Sequence, residues 1–166
     1  MTRVAVLTVS DRSARGERED LGGPAVAEEA RRRFDPADVR REVVADDRDE
    51  VALAIRRLAD ESDLVLTTGG TGIAPRDVTA DATRDVIDRE IPGLGEEMRR
   101  RSGERVRTAA LSRATAGTIG SCLVVNLPGN PRGAVECLAF VAPAIEHALE
   151  LLAAPGVDVH GTESVE

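Results

Sequence analysis

The stretch Leu64-Val65-Leu66-Thr67-Thr68-Gly69-Gly70-Thr71-Gly72 limits what this chain can fold into more than any other part of it. A short apolar run with β-branched residues reads as a buried strand, and the glycines end it in a tight turn. Arg76-Asp77-Val78-Thr79 follows, opening onto a helix-like segment. A strand that runs through a glycine turn into a helix is one unit of a parallel α/β domain. It is also a site for an anionic group, because glycines let backbone N–H groups approach closely and the helix N-terminus adds partial positive charge. Asp77 makes the turn more specific. A carboxylate beside a phosphate is repelled unless a metal ion lies between them, so the pairing points to magnesium-dependent chemistry.

The rest of the chain repeats the pattern. Val4–Ser10 reads as a strand, residues 22–34 as a helix, Val39–Ala45 as a second strand, and residues 50–59 as a helix capped by Asp49. Residues 79–88 and 93–101 read as helices, Ala109–Arg113 as a weak strand and Cys122–Leu127 as a strong one. Pro128-Gly129-Asn130-Pro131 breaks that strand. A helix over residues 132–152 follows, with Pro143 expected to kink or divide it. This order predicts an α/β, three-layer domain with a mostly parallel mixed sheet between helices, spanning residues 1–154 as a single unit, followed by a polar tail over 155–166.

Length and composition fit. The 166 residues are 42% hydrophobic but only 1% aromatic, so Ala, Val, Leu and Ile must build the core. Every basic side chain is arginine. A Walker-type loop places a lysine on its phosphates, so that mechanism is excluded, and arginine or a metal must neutralise a bound phosphate. The net charge of −8 argues against nucleic acid as a partner. The runs Arg31–Arg33 and Arg99–Arg101 are interleaved with acids and read as solvated helix faces. Cys122 and Cys137 lack metal-site or disulfide spacing and read as buried thiols. No segment reaches the roughly 18 apolar residues of a membrane span, and no signal peptide is visible. The expectation is a cytoplasmic protein without a membrane partner.

Polar turns fall at the carboxyl ends of the expected strands: Ser10-Asp11-Arg12, Asp46-Asp47, Thr68 through Asp77, and Asn126 through Pro131. Ligands of open α/β sheets bind at that edge. Each turn alone has a simpler use. Asp11 and Asp46 can end strands or cap helices, Asp77, Thr79 and Asp81 compete as caps, and the proline-glycine turn can be a plain chain reversal. Together and in order they outline a nucleotide-plus-metal pocket.

These residues carry a family resemblance. Thr67–Gly72, Arg76–Thr79 and Asp81-Ala82-Thr83 resemble the signature of the MogA/MoaB family of molybdenum cofactor biosynthesis, and Asn126–Pro131 resembles its second signature. Ser10-Asp11-Arg12, with Gly16 and Asp20, resembles the N-terminal loop of the MogA branch. The resemblance runs from Val4 to about Leu152. It implies molybdopterin binding, a homotrimer, and adenylyl transfer from Mg-ATP to the pterin phosphate; a non-catalytic molybdopterin carrier is the alternative. A downstream metal-insertion protein is an implied partner. Residue by residue, the two catalytic and metal-holding carboxylates fall on Asp46 and Asp77. Asp47 is a rival to Asp46, because Ala45 replaces the common proline before it. Ala80 likewise replaces a common proline. Gly69, Gly70, Thr71 and Gly72 would cradle phosphate, with hydroxyl donors from Thr71 and Thr79. Ser10, Asp11, Pro128, Gly129 and Asn130 would line the nucleotide and pterin pockets. Arg12 and Arg76 are equal candidates to neutralise phosphate.

Overall fold

The central strands are buried along their whole length, so the sheet is covered on both faces. The computed structural model describes residues 1–154; the tail expected over 155–166 lies outside the described residues. Four parallel strands, β1 (Arg3–Val9), β2 (Asp38–Val44), β3 (Leu64–Thr68) and β6 (Cys122–Leu127), form the body of the sheet. Two antiparallel strands, β4 (Arg89–Glu90) and β5 (Ala116–Ile119), extend it to the order β2-β1-β3-β6-β5-β4. In β1, Val4 and Val6 point to one face and Ala5, Leu7 and Val9 to the other, as the period of two requires.

Helices α2 (Gly22–Phe34), α5 (Pro92–Gly103) and α6 (Pro131–Ala153) cover the first face, and α3 (Arg48–Glu61) and α4 (Thr79–Val86) the second. A four-residue helix, α1 (Asp11–Ala14), follows β1 directly. The first core is held by aliphatic residues such as Leu64, Leu66, Leu123, Leu138 and Ile145, and the second by Leu7, Ile55, Leu58, Val65 and Val124. The expected three-layer α/β architecture with a mixed, mostly parallel sheet is present.

Several local expectations change. Residues 107–111 form a 3₁₀ turn instead of a strand. The short antiparallel strands β4 and β5 are not among the expected strands, since two and four residues with a mixed pattern carry little periodic signal. Pro143 does not divide α6, which runs unbroken from Pro131 to Ala153. Asp47, not Asp49, caps α3, its carboxylate accepting the Glu50 N–H at 2.9 Å. The arginine runs pair within their own helices: Arg32 and Arg33 with the buried Glu29, and Arg100 and Arg101 with Glu97.

Buried polar groups lock the sheet where the parallel and antiparallel parts meet. Asn126 is fully buried in β6; its amide donates to Thr67 Oγ1 at 3.0 Å and Thr83 Oγ1 at 2.9 Å, and its oxygen accepts from the Thr115 N–H at 3.2 Å. One side chain thus ties β3, β6, α4 and the approach to β5 together. A satisfied buried network of this kind fixes register, and losing one partner would strand the others.

Candidate functional site

All four parallel strands deliver their loops to one polar cleft of about 440 Å³ at the carboxyl edge of the sheet. Ser10, Asp11 and Arg12 come from the end of β1, Asp46 from the end of β2, Gly69, Gly70, Arg76 and Asp77 from the loop after β3, and Gly129 and Asn130 from the turn after β6. This is where the strand order places a ligand in an open sheet.

The first two loops hold each other. The Asp11 N–H donates to Asp46 Oδ2 at 2.9 Å, and the Asp46 N–H donates to Asp11 Oδ1 at 2.8 Å. Ser10 caps α1, accepting from the Ser13 N–H at 3.3 Å, and its own N–H reaches the Val44 carbonyl at 2.9 Å. The Asp46 carboxyl is raised above the ordinary aspartate range. Burial is the main cause, opposed by the Asp11 N–H; the charges of Asp11 and Asp77 raise it further, while Arg76 lowers it. Asp47 is exposed and occupied as the α3 cap, which leaves Asp46 as the acid of this pair that lines the cleft.

The loop after β3 is shaped by its glycines. Gly69 has φ +99° and Gly70 φ +68°, where glycine carries no steric penalty. A Cβ on Gly69 would fall on the Val9 carbonyl oxygen, and one on Gly70 on Thr79 Oγ1. Thr79 is fully buried; its hydroxyl donates to the Gly69 carbonyl at 2.8 Å and its N–H to the Gly70 carbonyl at 3.0 Å. This corrects the expected role of Thr79: its hydroxyl hydrogen folds the turn and is not presented to a ligand. The Gly69 N–H is likewise occupied by the Leu127 carbonyl at 3.2 Å, so any amide cradle falls to the residues after it. Asp77 is not a helix cap. Val78 holds that position, and Asp77 Oδ2 accepts the Ala74 N–H at 2.9 Å. A Cβ on Gly72 would sit 2.7 Å from the same oxygen, so glycine there makes room for the carboxylate.

The remaining expected residues face elsewhere. Thr71, Gly72 and Pro128 line a second, more apolar cavity of about 690 Å³ with Ile73, Met98, Leu111 and Phe140; Asn130 borders both spaces. The Pro128 carbonyl accepts from Thr68 Oγ1 at 2.8 Å, and the Asn130 side chain caps α6 through the Gly133 N–H at 3.0 Å.

Sequence reasoning assigned no role to Thr8, Arg18, Leu21 or Gly22, which also line the cleft. Asp20 organises that wall: it accepts from the Gly23 N–H and from Thr8 Oγ1, both at 2.9 Å. An aspartate three residues before a helical Gly-Pro was the available signal.

For a divalent cation, the donor set is hard and oxygen-only. Among the described residues no group of three or more metal-ligating side chains forms a cage. Asp46 and Asp77 line one cleft, and Mg²⁺ is usually held by one or two carboxylates plus waters and substrate phosphates. The thiols do not contribute: both cysteines are buried and free, and burial pushes Cys122 up to about 12.

A mostly parallel α/β sheet whose carboxyl edge combines a glycine turn, arginines and two converging carboxylate loops defines a domain for binding phosphorylated small molecules. The chain belongs to the MogA/MoaB family: the family of probable molybdopterin binding domains matches it over residues 5–147. A molybdopterin adenylyltransferase of Helicobacter pylori strain J99 is 43% identical over 152 residues, covering 90% of this chain and 86% of the relative. One from Escherichia coli K12 is 41% identical over 145 residues, covering 86% and 74%. The molybdopterin biosynthesis enzyme MoaB from Thermus thermophilus superposes with a TM-score of 0.83 at 46% identity, over 92% of this chain and 96% of its own.

Proposed function

We propose that the chain is a molybdopterin adenylyltransferase of molybdenum cofactor biosynthesis, moving AMP from Mg-ATP to the molybdopterin phosphate. The activity named for the Helicobacter and Escherichia relatives, at 41–43% identity over most of this chain, supports the reaction. The observation that carries it at the site is the meeting of Asp46 and Asp77 in one cleft with the glycine turn: the Asp77 charge helps to raise the Asp46 carboxyl, and anionic substrates would add to that. The activity belongs to residues 1–154 as a single domain.

In the reaction, an oxygen of the pterin phosphate attacks the α-phosphorus of ATP. A new P–O bond forms, the bond to the bridging α–β oxygen breaks, and pyrophosphate leaves with that electron pair. Most of the acceleration must come from holding two polyanions in line and neutralising charge. Asp46 and Asp77 would hold Mg²⁺, which when bound supplies positive charge to phosphate oxygens. Gly70, Thr71 and Gly72 offer the backbone turn. Arg12 and Arg76 line the cleft and neutralise phosphate, and Arg76 already acts on Asp46. Ser10, Asp11, Gly69, Gly129 and Asn130 shape the walls, with Pro128 at the border towards the apolar cavity.

In this reading the chain works in the cytoplasm as a homotrimer and passes its product to a downstream metal-insertion protein. The exposed Ile73, Val106 and Leu111 around the apolar cavity support self-association. Among the described residues, no helix is long and apolar enough to cross a membrane. The test is incubation with molybdopterin, ATP and Mg²⁺, with detection of adenylylated pterin by mass. A product that needs all three supports the reading. Saturable pterin binding without product replaces it with the carrier.

A further inference from the structure

Arg113 does not line the polar cleft, yet it holds the segment that carries Asp77. Its N–H donates to the Thr71 carbonyl at 2.7 Å. Its guanidinium then bridges both ends of the following loop, with Nε to the Gly72 carbonyl at 3.2 Å and a terminal nitrogen to the Asp77 carbonyl at 3.4 Å. An ion pair with Asp81 at 2.5 Å anchors the guanidinium to α4. Between those ends the loop has little else to hold it: Ile73, Ala74, Pro75 and Arg76 are all exposed. Inside the loop, Asp77 and Ala74 exchange two bonds at 2.9 Å, Asp77 Oδ2 accepting the Ala74 N–H and the Ala74 carbonyl accepting the Asp77 N–H.

We propose that Arg113 is a positioning residue for Asp77, a guanidinium strut that fixes the two ends of the Gly72–Asp77 loop so that the carboxylate meets its ligand in one orientation. The proposal rests on the adenylyl-transfer reading for its kinetic consequence. A planar fork can donate to two carbonyls and a carboxylate at once, which a lysine ammonium on a flexible stem does not reproduce. Arg113→Lys therefore keeps a cation for Asp81 and loses the strut. A displaced carboxylate weakens transition-state stabilisation more than ground-state binding, because the geometry matters most where charge develops.

The experiment compares native chain, Arg113→Lys, Asp77→Asn, the double variant, and Arg84→Ala as a control for loss of an exposed arginine on α4. In Arg113→Lys, kcat for adenylylated pterin falls about 10–100-fold while KM for ATP stays within about twofold. The Mg²⁺ concentration giving half-maximal rate rises. Arg113→Lys adds no further loss on the Asp77→Asn background. Independently of activity, the Ala74 amide, which bonds to the Asp77 carboxylate, exchanges its hydrogen faster in Arg113→Lys than in the native chain, and at the native rate in Arg84→Ala. Native turnover by Arg113→Lys overturns the proposal even if the amide exchanges faster. So does unchanged Ala74 exchange, or a multiplicative loss in the double variant. If the native chain makes no adenylylated pterin, the reaction reading fails on its own, and the Ala74 exchange rate alone judges the strut.

Discussion

Asp46 and Glu42 sit on the same strand-and-loop segment, and their proton affinities move in opposite directions. Glu42, on the outer edge strand β2, accepts two hydrogen bonds from Arg57 at 2.9 and 2.6 Å and pairs with Arg40, and its carboxyl is held below the ordinary range, chiefly by the Arg57 bonds. Asp46, in the cleft, is raised by burial first and then by neighbouring acids. Asp63, Asp85 and Glu97 follow Glu42: an arginine satisfies each, and each is lowered. The outer surface of the molecule thus resolves its charge locally, whereas the cleft retains an unresolved excess of negative charge. On the proposed function, a bound cation would complete this arrangement.

The largest expected effect tests the cleft directly. Asp77→Asn keeps an acceptor for the Ala74 N–H and removes the charge, so kcat for adenylyl transfer should fall by about 10²–10³-fold. Melting by circular dichroism should stay close to native. A variant that retains near-native rate breaks the assignment of a metal-holding carboxylate.

Next in size is the turn. Gly69→Ala would force a side chain against the Val9 carbonyl at φ +99°, where backbone and not a flexible side chain must move. A loss of about 3 kcal/mol is expected, which corresponds to about 6–12 °C in Tm. Thermal denaturation within a degree of native would show that the turn has more room than its geometry implies.

Asp46→Asn separates activity from stability. The folded pKa of Asp46 lies above its unfolded value near 3.8, so the native state binds the proton more tightly. The charged form then costs stability above the folded pKa, and the cost is relieved as the pH falls through it. Replacing the charge should therefore leave Tm at pH 7 equal to native or higher by up to about 3 °C, with the difference vanishing below the unfolded pKa. Adenylyl transfer should nevertheless collapse. A marked fall in Tm would mean that the Asp11–Asp46 clasp outweighs the burial of charge.

The smallest effect has the reverse sign. Glu42 is depressed, so its pairing stabilises above the unfolded carboxylate pKa and the contribution is lost as pH falls through the folded value. Arg57→Ala should cost under about 1 kcal/mol at pH 7, because the arginine is half exposed, and less at high salt. Urea titrations at pH 7 and under acid should differ in this way. An equal cost at both pH values would place the effect in the packing of the arginine stem.

Much of this was legible in the chain because periodicity and turn chemistry are local. The parallel strands, α2 and α6 could be read from buried runs bounded by glycine, proline and aspartate, and the order of polar turns at strand ends pointed to one edge. The cleft residues Asp46, Asp77, Gly69 and Gly70 were named on that basis. The misses have physical causes. Strand β4 takes its structure from pairing with β5, which lies far along the chain, and β5 is a four-residue strand that its hairpin partner β6 holds in place. Asp47 and Asp49 are equivalent as cap residues until a backbone N–H is placed near one of them. Thr79 looked available because its hydroxyl partner, the Gly69 carbonyl, is brought to it by the fold of the turn.

Sequence alone determined the fold class, the glycine turn with its acid and the all-arginine chemistry, since each follows from residue type and spacing. Tertiary structure decided which hydroxyls and amides are already occupied, that Asp11 and Asp46 clasp each other across two loops, and that Arg113 braces a loop far from it in the chain. Hydrogen-bond partners and charge neighbours are relations between distant segments, and they exist only once the sheet has set those segments side by side.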